Sequence, residues 1–150
     1  MQANSSRFPN HLRTRWPRVG SNIAEIPWCF KDELAEQKLS KAMEEGWETW
    51  RREIGDPSKA NGHSLKLTRW PPIRVKKYPY CYDEQGKWDF RRPNEAVVVS
   101  WDTTGTVQGR STVGYDDNDI AIARHRMVIG DSENTSHTVA HELGKCTPRR

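Results

Sequence analysis

One segment of the sequence carries a clear helical pattern of apolar and polar positions. Its apolar residues recur at steps of three and four, and they are Ala35, Leu39, Ala42, Met43, Gly46, Trp47, Trp50 and Ile54. This spacing predicts one amphipathic helix over residues 32–54. Asp32 is suited to cap its first turn, and Gly55 with Pro57 is suited to end it.

Apolar runs and alternating segments elsewhere in the chain predict β-strands. Runs with β-branched or aromatic residues indicate buried strands, and alternation indicates a strand with one exposed face. The predicted strands are residues 23–30, 64–70, 96–101, 110–115 and 120–129. A second helix is predicted from residue 134 onward, with Thr135 or Ser136 as its N-cap. The predicted fold class is therefore α+β, of the α/β type, with a twisted mixed β-sheet and one long helix packed on it.

Two segments show neither pattern and are predicted to be irregular. Residues 1–14 are polar and contain proline, so they are interpreted as a flexible N-terminal arm. Residues 71–93 are rich in Pro, Lys and Tyr and are interpreted as an insertion.

The composition favours one domain with a small core. The chain has 150 residues, of which 34% are hydrophobic, but seven are tryptophans with large apolar surfaces. The net charge of +4 comes from basic residues interleaved with acids, which is typical of a solvated surface. No apolar run of about 18 residues occurs, so the sequence predicts no membrane span. The first residues lack the apolar stretch of a signal peptide, and the compartment and oligomeric state stay open.

The five residues HELGK, from His141 to Lys145, nearly match the zinc-protease motif H-E-x-x-H. On a helix, two histidines four residues apart lie on one face and bind the same zinc ion. The glutamate after the first histidine takes a proton from the zinc-bound water, which then attacks a peptide carbonyl. Here Lys145 stands in place of the second histidine, and a protonated ammonium is no zinc ligand.

Six segments, taken in their order along the chain, carry a resemblance to a known family. They are RWP with IPWCF (15–30), DELAEQKLSKAMEEGWETW (32–50), AVVVSWD (96–102), GRSTVGYD (109–116), RHRMVIG (124–130) and TVAHELG (138–144). In this order they resemble the N-terminal half of the catalytic domain of metzincin zinc endopeptidases, most closely the astacin type. The resemblance implies an incomplete, zincin-like N-terminal catalytic subdomain over residues 15–145 and a divergent tail over residues 146–150.

The resemblance also implies a function, namely zinc-dependent hydrolysis of protein or peptide substrates by an extracellular protein. By position in the motif, His141 would bind Zn²⁺ and Glu142 would be the general base at the start of the active-site helix. One segment resembles the edge strand of the family's substrate cleft, where substrate binds as an added β-strand. Its residues are Ser111, Thr112, Val113, Gly114 and Tyr115.

The sequence departs from the rest of the family motif, which continues as H-E-x-x-H-x-x-G-x-x-H. Lys145 replaces the second ligand, Pro148 falls on the glycine, and the third ligand falls one position beyond Arg150. A site with a single secure ligand does not bind zinc tightly. We therefore expect the 150-residue chain to be inactive or weakly active, and we expect Lys145→His alone not to restore activity.

Two other functions are compatible with the same residues. A non-catalytic domain would bind protein or peptide segments through the edge strand alone. A nucleic-acid-binding domain would use the basic residues, but acids such as Asp116, Asp117 and Asp119 are interleaved with them and argue against it.

The remaining histidines and the cysteines leave further alternatives. His137 and His141 are four residues apart and form a second candidate metal pair, although no third ligand is evident. His125 lies between two arginines and is predicted to be an exposed strand residue rather than a ligand. Cys29 and Cys81 are compatible with a disulfide or with two buried thiols. Cys146 lies in the divergent tail and is no candidate nucleophile.

Overall fold

A mixed sheet with two helices on one face makes up the described part of the computed structural model, which comprises residues 16, 23–56, 65–70, 79–112, 115 and 124–146. In chain order the elements are β1 (Ala24–Phe30), α1 (Glu33–Ile54), β2 (Leu65–Arg69), β3 (Val97–Trp101), β4 (Gly109–Ser111), β5 (Arg126–Ile129) and α2 (Thr135–Cys146). The predicted α+β class is therefore confirmed. The predicted arm over residues 1–14 lies outside the described residues.

The five strands lie in the order β2-β1-β3-β5-β4, so β2 and β4 are the two edges of the sheet. β1 runs parallel to both β2 and β3, and β3 runs parallel to β5. Only β4 is antiparallel to its neighbour β5, which makes the sheet mixed, as predicted. The antiparallel edge strand is also the strand that packs against the HELGK segment.

Helix α1 begins and ends where its sequence predicts. The Asp32 carboxylate accepts a hydrogen bond of 2.9 Å from the Ala35 N–H, which satisfies one of the free donors of the first turn. Gly55 adopts a φ of 77°, a conformation that favours glycine, and its N–H donates to the Arg51 carbonyl at 2.7 Å. Both caps confirm the prediction from the sequence.

The main core lies between the inner face of the sheet and the two helices. Leu39 and Met43 of α1, Val99 of β3, Met127 of β5 and Leu143 of α2 are all buried in it. Burial of such side chains contributes roughly 1.5–3 kcal/mol each to folding.

Helix α2 packs closely across α1 because a glycine lies at the crossing. A Cβ added at Gly46 would lie 2.8 Å from Val139 Cγ1 and 3.1 Å from the Ala140 backbone nitrogen, so a larger residue would push the helices apart. Tryptophan side chains anchor backbone carbonyls of α2. Trp50 Nε1 donates to the Ala140 carbonyl and Trp16 Nε1 to the Cys146 carbonyl, each at 2.7 Å.

A second, smaller cluster covers part of the outer face of the sheet. It contains Ala96 and Val98 together with Cys29 and Cys81, which form a disulfide with a Cα–Cα distance of 5.4 Å. Of the two alternatives for these cysteines, the structure therefore contains the disulfide. The described part of the predicted insertion is irregular apart from an isolated bridge between Tyr82 and Trp88.

Several local predictions were wrong, each for a physical reason. The strand predicted over residues 110–115 is β4, which ends at Ser111, and the strand predicted over residues 120–129 is β5, which begins at Arg126. The N-cap of α2 is neither Thr135 nor Ser136. It is Asn134, whose carbonyl accepts from the Thr138 N–H and whose side chain accepts from the His137 N–H.

Neither described helix is long and apolar enough to cross a membrane.

Candidate functional site

Glu142 lies where helix α2 presses against the edge strand β4. The contact is close because Gly109 has no side chain: an added Cβ would lie 2.7 Å from Thr138 Cγ2 and 3.1 Å from Glu142 Cγ. The strand therefore covers the glutamate side chain, and Glu142 is only 1% exposed. Burial of the carboxylate between strand and helix therefore requires a glycine at this position of the strand, because any side chain would separate the two elements.

Among the described residues, the cation that pairs with the buried Glu142 carboxylate is Lys145. The Lys145 ammonium lies 3.1 Å from Oε1 and 3.0 Å from Oε2. The two residues are three apart on α2, so a helix brings their side chains together. The Ser111 hydroxyl of β4 lies 3.5 Å from Oε2 and 3.3 Å from the Glu142 carbonyl oxygen. Such pairing offsets the cost of burying a charged carboxylate.

His141, the predicted zinc ligand, lies on the exposed face of α2. His137 is exposed as well, and its N–H donates 3.1 Å to the Asn134 side chain, which places it in the first turn. The described residues contain no group of three His, Cys, Asp or Glu side chains that could hold a metal ion. Zinc in proteins takes three or four such ligands. The donor set around His141 in the described part of the chain therefore does not fit a zinc ion.

The edge strand β4 exposes part of its backbone on the side away from β5. The Thr112 N–H donates to the Arg126 carbonyl and the Gly130 N–H to the Gln108 carbonyl, each at 2.9 Å. Even-numbered residues of this segment therefore direct their backbone groups toward β5. Because hydrogen-bonding direction alternates along a strand, Gly109 and Ser111 direct theirs away from β5, toward the side where the described residues supply no further strand.

The predicted substrate-binding residues have different surroundings. Ser111 lies in β4 beside Glu142, and Thr112 follows it and bonds to β5 through its N–H. Val113 and Gly114 lie outside the described residues. The ring of Tyr115 packs against the rings of Trp16 and His125, each with centroids 5.4 Å apart. The structure thus brings only Ser111 of the described members of this set into contact with Glu142.

His125 was predicted to be exposed, and this was wrong, because its side chain is fully buried. Its Nδ1 lies 3.0 Å from the Glu95 carbonyl, and its ring packs on Trp16 with centroids 5.0 Å apart. The signal was present in the alternation of the segment. His125 shares its parity with the buried Met127 and Ile129, whereas the flanking arginines point the other way.

Cys146 is part of the core rather than of a loose tail. It is the last residue of α2 and is 1% exposed. Burial raises the pKa of its thiol to about 12, so the nucleophilic thiolate is not formed at neutral pH. This agrees with its exclusion as a nucleophile, although the reason is burial and not position in a tail.

Comparisons with protein-family models, with curated proteins and with solved structures find no match for this chain. The resemblance to metzincins therefore rests on the segments of this sequence alone.

Proposed function

We propose that this chain is a metzincin-like endopeptidase subdomain that lacks zinc-dependent catalysis as it stands and binds an extended protein or peptide segment along β4. The ion pair between Lys145 and Glu142 carries this proposal. A general base must accept a proton from water, but here the carboxylate is enclosed and engaged by an ammonium at 3.0 Å. The same lysine takes the helix position that the second zinc ligand needs.

The charge of Lys145 also opposes metal binding. A zinc ion held by His141 beside Glu142 would lie close to the ammonium, and like charges repel. The ammonium thus supplies the positive charge that a metal would otherwise place near this carboxylate.

Peptide binding is supported by the geometry of the free edge. β4 is an end strand, and the backbone N–H and C=O groups of Gly109 and Ser111 face outward. Such groups are a template for an added strand, whose main-chain hydrogen bonds give affinity without chemistry. Helix α2 packs closely against the short strand β4, so the strand that would receive the peptide is supported by the fold.

Catalysis is tested with zinc titration and a peptidase assay on the 150-residue chain. By calorimetry we expect no zinc binding with a Kd below about 10 µM. We also expect no cleavage of quenched fluorescent casein or of a peptide library. Lys145→His supplies a second histidine and is expected to remain inactive. Zinc-dependent turnover by the unmodified chain, abolished by Glu142→Gln, would contradict the loss of catalysis.

Peptide binding is tested with two substitutions at one position. Ser111→Pro removes the outward N–H but leaves the Thr112 bond to β5 in place, and proline is tolerated on edge strands. We expect it to weaken binding of extended peptides at least tenfold, because a main-chain hydrogen bond is lost and the added strand is displaced. Ser111→Ala is the matched control, since it removes the hydroxyl near Glu142 but keeps the N–H. Equal peptide affinities of the wild-type chain and the two Ser111 variants would show that β4 is not the binding site.

A further inference from the structure

We propose that the segment bound along β4 carries an acidic side chain opposite Arg110, recognised by the Arg110 guanidinium with support from Arg126. This inference rests on the proposed peptide binding at β4 and adds the chemistry of the partner. Its basis is the juxtaposition of two exposed guanidinium groups on one face of the sheet, directly beside the free edge.

The strand register places both arginines on the same face. Arg110 is opposite Val128 in the β4–β5 ladder, and Arg126 is diagonal to it. Residues directly opposite in a ladder share a face, and diagonal neighbours lie about 7–8 Å apart by Cα. Arg126 is also in register with Val98, which belongs to the outer cluster around the disulfide. Both arginines therefore project from the outer face, away from the helices.

The outer face is covered over β1 and β3 but open at β4 and β5. Residues around the disulfide close the first part, whereas Arg110 and Arg126 are both exposed. Within the described part of the chain, no carboxylate forms a salt bridge with either guanidinium. Arg124 differs, because its guanidinium lies 3.8 Å from the centre of the Trp88 ring and donates to the Asn94 carbonyl. The first two cations are therefore available to a ligand.

The geometry of an added strand brings one ligand side chain next to Arg110. Gly109 and Ser111 would form the main-chain bonds, so the ligand residue opposite Arg110 occupies a non-hydrogen-bonded position. At such positions in antiparallel pairs the Cα atoms are about 4.5 Å apart and side chains are closest. A carboxylate there meets the Arg110 guanidinium, and the next side chains on that face are two residues away in either direction. Arg126, one strand further, acts over a longer distance.

Binding is measured by fluorescence anisotropy with short rhodamine-labelled peptides of matched length. The first alternates valine with glutamate, and the second alternates valine with glutamine. The protein variants are Arg110→Gln, Arg126→Gln and Arg52→Gln. Arg52 is exposed in the last turn of α1 and controls for the loss of one positive charge elsewhere.

We expect the alternating glutamate peptide to bind about two- to fivefold more tightly than the glutamine peptide, the range expected of one favourable cross-strand charge pair. Arg110→Gln should abolish this preference, Arg126→Gln should reduce it, and Arg52→Gln should leave it unchanged. Affinity for the glutamine peptide should be the same in all four chains.

Three outcomes overturn the inference in distinguishable ways. Equal affinity for the glutamate and glutamine peptides, with both lowered by Ser111→Pro, rejects the acidic preference and keeps β4 as the binding edge. A glutamate preference that Arg110→Gln leaves unchanged shows attraction to net charge and rejects recognition by Arg110. Binding that is insensitive to Ser111→Pro, or absent for every peptide, rejects the proposed function itself.

Discussion

The two faces of the sheet are closed by different chemistry, and a deeply buried carboxylate lies on each side. The outer face is closed by the Cys29–Cys81 disulfide and by the irregular residues around Asp89. The inner face is closed by two helices over an apolar core, with Glu142 at its margin. The two carboxylates are similarly buried, so the difference between them lies in their partners.

Asp89 is surrounded by donors that fix its charge. Arg91 binds both of its oxygens, with 3.0 Å to Oδ1 and 2.9 Å to Oδ2, and the Arg91 N–H adds a further bond of 3.0 Å. Arg92, whose side chain is 3% exposed, lies 3.6 Å from Oδ2. Hydrogen bonds from the Arg91 side chain hold the pKa of Asp89 below its ordinary value, against the opposing effect of burial. This carboxylate has a structural role.

Glu142 has a simpler set of partners among the described residues. Its charge is matched by the ammonium of a lysine side chain that is 41% exposed, and a hydroxyl lies at 3.5 Å. A flexible ammonium is replaced more readily than a bidentate guanidinium. The comparison therefore distinguishes a carboxylate bound by a bidentate guanidinium from one whose cationic partner is a single, partly exposed ammonium.

The largest effect on stability is expected from removing the disulfide that closes the outer face. Cys29→Ser with Cys81→Ser opens a loop between residues 52 apart in sequence, and loop-closure entropy predicts a loss of about 4 kcal/mol in the free energy of unfolding. Urea unfolding followed by tryptophan fluorescence measures it. Hydrogen exchange should also rise around Asp89 before it rises in α2, because the disulfide packs in the outer cluster and not against α2.

Reduction provides the control for this prediction. Dithiothreitol should destabilise the wild-type chain by a similar amount and should leave the double variant unchanged. A variant as stable as wild type would mean that the outer cluster closes without its covalent link. Uniform hydrogen exchange over both faces would mean that the outer cluster and the helices on the inner face unfold together as one cooperative unit.

A smaller loss is expected from Asp89→Asn, about 2 kcal/mol, because charge-assisted bonds are lost and the buried Arg92 no longer has the Asp89 carboxylate beside it. The effect depends on pH. Since the pKa of folded Asp89 is lowered, its stabilisation is fully present above the pKa of the unfolded side chain. It is lost as pH falls through the folded pKa. The stability gap between wild type and variant should therefore narrow below about pH 4.

Asp56→Asn is the matched control. Its ion pair with Arg51 is on the surface and screened by water, so its removal should change stability far less than Asp89→Asn does. A gap at Asp89 that stays constant from neutral to acidic pH would show that its charge is not what stabilises the loop.

The regular parts of the fold were predictable because their determinants are local. Periodicity and two caps defined α1, and a β-branched run defined β3. Strand ends were less predictable, since β4 ends where its pairing with β5 ends, and a partner strand is not encoded locally. His125 was misjudged because its flanking arginines outweighed the parity that it shares with Met127.

The candidate site was predictable only in part, for the same reason. The spacing of HELGK placed Glu142 and Lys145 within one helical turn, so their contact followed from helix geometry. The burial of Glu142 depends on Gly109, which is 33 residues earlier and acts by having no side chain. The pairing of Cys29 with Cys81 likewise required the packing on the outer face, which sequence spacing does not reveal.

The smallest effect is expected at the inner carboxylate. Lys145→Gln should cost about 1 kcal/mol, less than Asp89→Asn, because Lys145 is 41% exposed and water or the new amide takes over part of its role. The measurement is a double-mutant cycle with Glu142→Gln in urea unfolding. The doubly substituted chain should recover most of the cost of Lys145→Gln, since no buried charge is then left without a partner.

A coupling energy near 1 kcal/mol in this cycle would show that Glu142 contributes less to stability than Asp89 does. It would also decide how an inactive Lys145→His variant is interpreted. A fold that loses little when Lys145 is replaced also tolerates Lys145→His, so inactivity of that variant then reports missing ligands and not unfolding. A coupling above about 3 kcal/mol would reverse this conclusion, because it is the size expected when a fully buried pair is broken. Glu142 would then stabilise the fold as strongly as Asp89 does, and its lysine would be a structural partner first.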